Sequence, residues 1–263
     1  MNEQKAATTE TKAVVNDGSI ELSTLYYIIG TLLFVGAASL IFYYLIRKQS
    51  RKLQFVLILG RNGSGKTALF VQLTQDRSAL TVSSLVKNIG WTKNLIPDEP
   101  GKEIQLIDVP GYERLRWDVF NMNKHLCKGI IFMVDSVSIS SSVSKEAQEA
   151  ADILYRVLTD PEIVKRKIPV LVVCNKQDQV AAKDVDVVMV LLEKEMNAIR
   201  ITKYNPATKK GNRSEFIGNM EKDFEFAQLR NNKVTFVKSI CKSSELAVTD
   251  DMKSVIEFLA TLA

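Results

Sequence analysis

A short apolar run, Phe55-Val56-Leu57-Ile58-Leu59, gives way to Gly60-Arg61-Asn62-Gly63-Ser64-Gly65-Lys66-Thr67 and then to the helix-like Ala68-Leu69-Phe70-Val71-Gln72-Leu73. A strand that ends in G-x-x-x-x-G-K-[ST] and turns straight into a helix is the setting of a phosphate-binding loop. Backbone N–H groups must converge on phosphate oxygens, which calls for glycine at Gly60 and Gly65, where side chains would block the approach. The following helix turns its positive dipole end to the same anion. Lys66 is suited to neutralise β- and γ-phosphates, and the Thr67 hydroxyl to ligate Mg²⁺. The loop as a whole, Gly60, Arg61, Asn62, Gly63, Ser64, Gly65, Lys66 and Thr67, is the candidate phosphate site.

From Leu53 onward, apolar strand and helix alternate, which predicts an α/β fold with a largely parallel sheet. The strand candidates are Phe55–Leu59, Leu85–Trp91, Ile104–Val109, Gly129–Val134, Val170–Cys174 and Val234–Ser239. Pro97-Asp98-Glu99-Pro100-Gly101 separates the second from the third and predicts an antiparallel hairpin at the sheet edge. Helices are expected over Glu113–Leu126, Ser144–Leu158, Val185–Ile199 and Met252–Leu262. Residues 202–228 turn polar, with Pro206, Lys209-Lys210-Gly211 and Gly218, and read as a long surface insertion.

The 263 residues, 46% hydrophobic and 25% charged, suffice for one large domain plus an appendage. That appendage is the stretch from Leu22 to Ile46, which carries no charge and is long enough to span a bilayer. It is too long for a core helix. Its basic flank follows rather than precedes it, which argues against a cleaved signal peptide. Arg47, Lys48, Arg51 and Lys52 come directly after the run, whereas the preceding tail has Glu3, Glu10, Asp17 and Glu21 against Lys5 and Lys12. Positive charge marks the cytosolic side, so residues 1–21 are expected as a short lumenal, unstructured tail, 22–46 as the span and 47–52 as a basic linker. The domain 53–263 then faces the cytosol. Apart from that basic run the Lys and Arg residues behind the net charge of +5 are scattered, so a nucleic-acid footprint is not indicated and no direct DNA binding is expected. Cys127, Cys174 and Cys241 are far apart and odd in number, as reduced packing thiols would be.

Two further motifs lie at predicted strand ends. Asp108-Val109-Pro110-Gly111 places a carboxylate for a metal-bound water beside the Gly111 N–H, which can meet a γ-phosphate unhindered. Asn175-Lys176-Gln177-Asp178 leaves the fifth strand where ligands bind in open α/β sheets. Asp178 can accept from the guanine N1–H and 2-amino group, donors that adenine lacks as a pair. Asn175 can bond the purine N7 and help hold the loop, and the Lys176 stem can lie along the base. Guanine is selected over adenine, against a P-loop kinase or ATPase.

Together these three motifs resemble the signatures of the Ras-like small GTPases. The nearest resemblance is to the signal recognition particle receptor β-subunit family, Arf-like GTPases with an N-terminal membrane span. It rests on the span before the domain, Leu69-Phe70-Val71, Asp108-Val109-Pro110-Gly111-Tyr112-Glu113-Arg114-Leu115-Arg116, Cys174-Asn175-Lys176-Gln177-Asp178 and Asp223-Phe224-Glu225-Phe226. The resemblance implies a three-layer P-loop NTPase fold with GTP and Mg²⁺ as cofactors. It also implies an endoplasmic reticulum location and the receptor α subunit as partner in a heterodimer, with the ribosome or translocon as a further contact. On it, Thr81 corresponds to the switch I threonine that senses γ-phosphate and Mg²⁺, with Ser83 and Ser84 as alternatives. The metal set is then Thr67, Thr81 and, through water, Asp108. Cys241 in Ile240-Cys241-Lys242 stands in the last guanine-contacting loop, where a backbone N–H does the work.

Two positions depart from the Ras-like pattern. Asn62 replaces a frequent glycine and would crowd an inserted arginine finger. Tyr112 stands where Ras and Arf proteins have the glutamine that orients the attacking water, and a phenol cannot supply an amide's paired donor and acceptor. A catalytic residue is therefore unassigned, and the expected protein is a GTP-dependent binding switch. The alternative is a self-cycling Arf-like GTPase of vesicle trafficking. His125 is expected to have a structural or surface role, and Trp91 and Trp117 to pack in the core or offer a partner surface. Lys203, Lys209, Lys210 and Arg213 read as a solvated loop, with contact to anionic lipid or ribosomal RNA as the alternative.

Overall fold

The computed structural model describes residues 22–50, 55–75, 84–92, 103–139, 144–205, 210–211, 216–241 and 252–262. The expectations for the tail, the Pro97–Gly101 turn, Thr81, Ser83, Lys209 and Arg213 fall outside these. The chain divides into two units, Met1–Lys52 and Leu53–Ala263. In the first, helix α1 (Leu22–Ser50) contains the 20-residue stretch Leu25–Tyr44, long and apolar enough to cross a membrane. Twenty residues rise about 30 Å, the thickness of a hydrocarbon core. Its side chains are exposed on every face, Tyr26 and Phe34 at 68% and 75%, and such an all-round apolar helix needs an apolar surrounding.

The second unit is built on strands β1 (Phe55–Gly60), β2 (Asn88–Trp91), β3 (Gln105–Asp108), β4 (Cys127–Asp135) and β5 (Val170–Asn175). After β6 (Tyr204–Asn205) and β7 (Lys210–Gly211), which form a two-stranded ribbon, β8 (Val234–Lys238) completes a six-stranded sheet. Its order is β2-β3-β1-β4-β5-β8. Every pairing is parallel except the edge pair β2/β3, which is antiparallel as the turn signal predicts.

Helices cover both faces, which is why β1 and β5 are buried at every residue and read as unbroken apolar runs. Val56 and Ile58 pack with Leu69, Phe70 and Leu73 of α2 (Lys66–Gln75) and with Val255 and Leu259 of α7 (Lys253–Leu262). Leu57 and Leu59 face the opposite layer, which draws Phe120 from α3 (Glu113–Asn123), Leu154 from α4 (Lys145–Thr159) and Leu192 from α6 (Val185–Lys203). The result is a three-layer α/β sandwich.

Several boundaries differ from expectation. β2 starts at Asn88 rather than Leu85, because Leu85 and Val86 form a bend and lie 65% and 71% exposed. α3 stops at Asn123 and tightens into a 3₁₀ turn over Lys124–Leu126. His125 is exposed there, and its carbonyl accepts from Arg166 Nη1 at 2.6 Å. The short α5 (Pro161–Arg166) was not anticipated, although Asp160-Pro161 signals it. Asp160 caps it by accepting from the Glu162 and Ile163 N–H groups, Pro161 needs no N–H in the first turn, and Lys167 ends it in the left-handed region at φ 53°.

The larger correction concerns 202–228, which is not wholly a surface insertion. α6 runs on to Lys203, and Phe224 and Phe226 are 2% and 7% exposed within the core. Arg200, itself 2% exposed, organises this return. It donates to the carbonyls of Ile217 at 3.1 Å, Asn219 at 2.9 Å and Lys222, and its guanidinium lies 4.8 Å from the centre of the Phe216 ring. The cysteines are free thiols, as expected, and burial pushes Cys127 and Cys174 up to about 12.

Candidate nucleotide-binding site

Parallel pairing brings one end of every central strand to the same edge. Ile58 stands opposite Asp108, Gly60 opposite Met133 and Asp135 opposite Asn175. The loops leaving β1, β3, β4, β5 and β8 therefore meet at the carboxyl edge of the sheet, where a crevice for a ligand is expected.

The loop after β1 takes backbone conformations that L side chains avoid, with φ of 141° at Gly60 and 94° at Gly65. Neighbours add a second requirement: a Cβ on Gly60 would overlap the Met133 carbonyl, and one on Gly65 the Asn175 amide. The glycines thus make room for other strands as well as for phosphate. Asn175, 1% exposed, spans the gap. Its Nδ2 donates to the Ser64 carbonyl at 2.9 Å, and its Oδ1 accepts from the Cys241 N–H at 2.9 Å. One amide therefore ties the phosphate loop to both candidate guanine loops.

Lys66 is 6% exposed and donates to the Arg61 carbonyl at 2.6 Å; the Ser64 hydroxyl donates to the same oxygen at 2.9 Å. Arg61 enters the loop through its main chain, since its side chain turns to α4 and donates from Nε to Glu149 at 2.7 Å. Burial pushes the Lys66 ammonium down to about 8, partly offset by the nearby Asp108 carboxylate. Asp108 is fully buried, and burial raises its pKa against hydrogen bonds from Asn88 and Thr67.

Around Asp108 the oxygens cluster. Its Oδ2 accepts from Thr67 Oγ1 at 2.8 Å and from Asn88 Nδ2 at 3.0 Å. The Ser84 hydroxyl lies 3.2 Å from Thr67 Oγ1 and accepts from Asn88 Nδ2 at 3.2 Å. Asp108 Oδ1 is buried without a hydrogen-bond partner among the described residues. Hydroxyls beside a carboxylate oxygen with spare lone pairs are the donor set of a hard, hydrated divalent cation. Of the three candidate switch I hydroxyls, Ser84 lies among the described residues, and it joins this cluster.

On the base side, Lys176 adopts the left-handed region at φ 66°, unusual for a side chain of its size. Its Nζ pairs with Asp135 Oδ2 at 2.6 Å, which ties the loop after β5 to the end of β4. Asp178 sits exposed in the following turn. Asp135, Asn88 and Glu149 were missed by sequence reasoning. Asp135 had a readable signal, because it ends an apolar run just as Asp108 does. Tyr112 is 50% exposed at the N-cap of α3, with no side-chain capping bond. Trp117 is partly buried under the Arg156 guanidinium, 3.8 Å from its ring centre, and Trp91 is 48% exposed.

The family model for the signal recognition particle receptor beta subunit matches residues 51–234. The signal recognition particle receptor subunit beta of Mus musculus is 31% identical over 243 residues, 89% of this chain and 88% of that protein. Among solved structures, the mammalian SRP receptor aligns at 33% identity and a TM-score of 0.66, covering 79% of this chain and 99% of that one. The SRb-GTP/SRX complex of Chaetomium thermophilum, at 21% identity and a TM-score of 0.62 over 81% of this chain and 99% of that one, shares the fold. With a three-layer GTPase fold, all three nucleotide motifs at one sheet edge and a family match over most of its length, this chain belongs to the signal recognition particle receptor beta subunit family.

Proposed function

We propose that this chain is a membrane-anchored, GTP-binding receptor subunit that recruits the receptor's α subunit to the endoplasmic reticulum membrane when GTP is loaded, for co-translational protein targeting. The observation that carries this reading is the adjacency of two features on one segment. Ser84 belongs to the oxygen cluster with Thr67 and Asp108. The residues that directly follow, Leu85, Val86, Ile89 and Trp91, are 65%, 71%, 50% and 48% exposed. Ile89 and Trp91 alternate with Asn88 and Gly90, so they share one face of an edge strand. Nucleotide-sensing hydroxyl and apolar docking face are thus one short piece of chain. A ligand that orders the first orders the second.

In this reading Lys66 and the N–H groups of Gly63 to Thr67 hold the phosphates, and Gly111 meets the γ-phosphate. Asp178 and Lys176 read guanine, with the Cys241 N–H loop beside them. Mg²⁺, held by Thr67, by Thr81 or Ser84 of the switch segment and, through water, by Asp108, would neutralise phosphate charge and bind the γ-phosphate to that segment. Tyr112 leaves water positioning unsupported, so hydrolysis is slow or partner-stimulated. Helix α1 spans the membrane as residues 22–46, with 1–21 lumenal and 47–263 cytosolic.

The test is affinity for the α subunit with a non-hydrolysable GTP analogue against GDP, with single-turnover hydrolysis of the same preparation. Tight binding in the triphosphate state alone is expected. Equal affinities reject the switch, and a free rate well above roughly 10⁻³ per second favours a self-cycling GTPase.

A further inference from the structure

Arg116 lies on α3, 2% exposed, one turn beyond the segment that carries Gly111. Its Nη2 donates to the Gly111 carbonyl and lies 3.8 Å from Glu149 Oε1 on α4. The other oxygen of Glu149 takes Nε of Arg61, in the phosphate loop, at 2.7 Å. A single carboxylate on α4 therefore joins the phosphate loop to the peptide that follows the γ-phosphate contact. Gly111 is confined from the other side too, since a Cβ there would sit 2.8 Å from Asn62 Cα.

A buried guanidinium is tolerated only while its partners are in place. Arg116 Nε has no hydrogen-bond partner among the described residues, so its burial rests on the Gly111 carbonyl and Glu149. If Gly111 withdrew from the phosphate loop, Arg116 would lose its carbonyl and keep its burial cost. Such an element favours one of two arrangements over anything between them.

We infer that Arg116 and Glu149 are positioning residues, a latch that holds Gly111 where its N–H meets the γ-phosphate and couples that position, through Arg61, to the phosphate loop. This rests on the reading of the chain as a GTP-responsive switch. GDP lacks the group that Gly111 would touch, so the latch acts on discrimination between the two nucleotides rather than on nucleotide binding as such.

The experiment compares full-length protein in detergent with its Glu149→Gln, Glu149→Asp and Arg116→Lys variants. The reading is the ratio of affinities for a non-hydrolysable GTP analogue and for GDP. Glu149→Gln should lower that ratio about tenfold, the scale of a lost charge-assisted bond, mainly through the triphosphate. Arg116→Lys should lower it similarly, because a compact, strongly hydrated ammonium on a shorter stem does not replace a buried guanidinium, and Glu149→Asp should retain part of it. Glu149 is 40% exposed, so its variants fold even if Arg116→Lys does not. A wild-type protein that discriminates while Glu149→Gln keeps the same ratio overturns the latch alone, as does a parallel loss of both affinities. A wild-type protein with equal affinities overturns the switch reading and the latch with it.

Discussion

Replacing Asn175 by alanine removes the one side chain that bridges the phosphate loop and both candidate guanine loops. Two 2.9 Å hydrogen bonds are lost, from Nδ2 to the Ser64 carbonyl and from the Cys241 N–H to Oδ1. Ser64 is 1% exposed, so its carbonyl is left buried without that partner. Cys241 is only half-buried. An abandoned buried group costs about 1–3 kcal/mol; taking the full cost for Ser64 and half for Cys241 gives a loss of about 2–4 kcal/mol. For a domain of this size that lowers the melting temperature by about 5–12 °C. Fluorescence-detected unfolding of the GDP-loaded chain in detergent, with GDP release measured alongside, reads both effects. Release should accelerate because the loops on either side of the nucleotide are no longer joined. Asn175→Asp separates the two bonds: it keeps an acceptor for Cys241 but sets a carboxylate against the Ser64 carbonyl. Burial and that carbonyl raise its folded-state pKa, so the penalty is full at neutral pH and relieved as pH falls and the carboxyl gains a donor proton. A melting temperature within about 2 °C of wild type for Asn175→Ala would refute the brace, since even a typical single bond is worth about 1 kcal/mol.

Lys66 yields a pH prediction. Its folded-state pKa, lowered by burial to about 8 from 10.5, means the unfolded chain holds more protons between those values, so this group makes nucleotide-free stability rise with pH across that window. A polyphosphate restores the ammonium, so GDP binding at pH 8.5 should take up most of a proton and weaken as pH rises further. Calorimetry in two buffers of different ionisation enthalpy should give different apparent heats, and identical heats refute the coupling. Arg200→Met leaves the carbonyls of Ile217, Asn219 and Lys222 without this donor and should cost about 2–4 kcal/mol. It should also open 202–228 to protease while GDP affinity at saturation persists; an unchanged digestion pattern would mean that the Phe224–Phe226 packing alone holds that return.

Contiguous residues carried most of what could be read in advance. The loop from Gly60 to Thr67, Asp108 to Gly111 and Asn175 to Asp178 are each contiguous, so each motif was legible from its order along the chain. The same holds for the uncharged run from Leu22 and for the alternation of strand and helix, because periodicity is a local consequence of which faces are buried. The place of Ser84 beside Thr67 was not local. It follows from the antiparallel register that sets Asn88 opposite Asp108 and brings the hydroxyl ahead of it to Thr67. Sequence distance likewise hid Asn175 as a brace to Ser64, the pairing of Lys176 with Asp135, and the line from Arg61 through Glu149 to Arg116. Nothing in Phe224 and Phe226 announced burial inside a polar stretch, since their partner Arg200 lies on the preceding helix and turns inward only once the return packs over it. Side chains that join separate elements leave no periodic trace. Their partners are selected by strand order and packing, which exist only after the chain has folded.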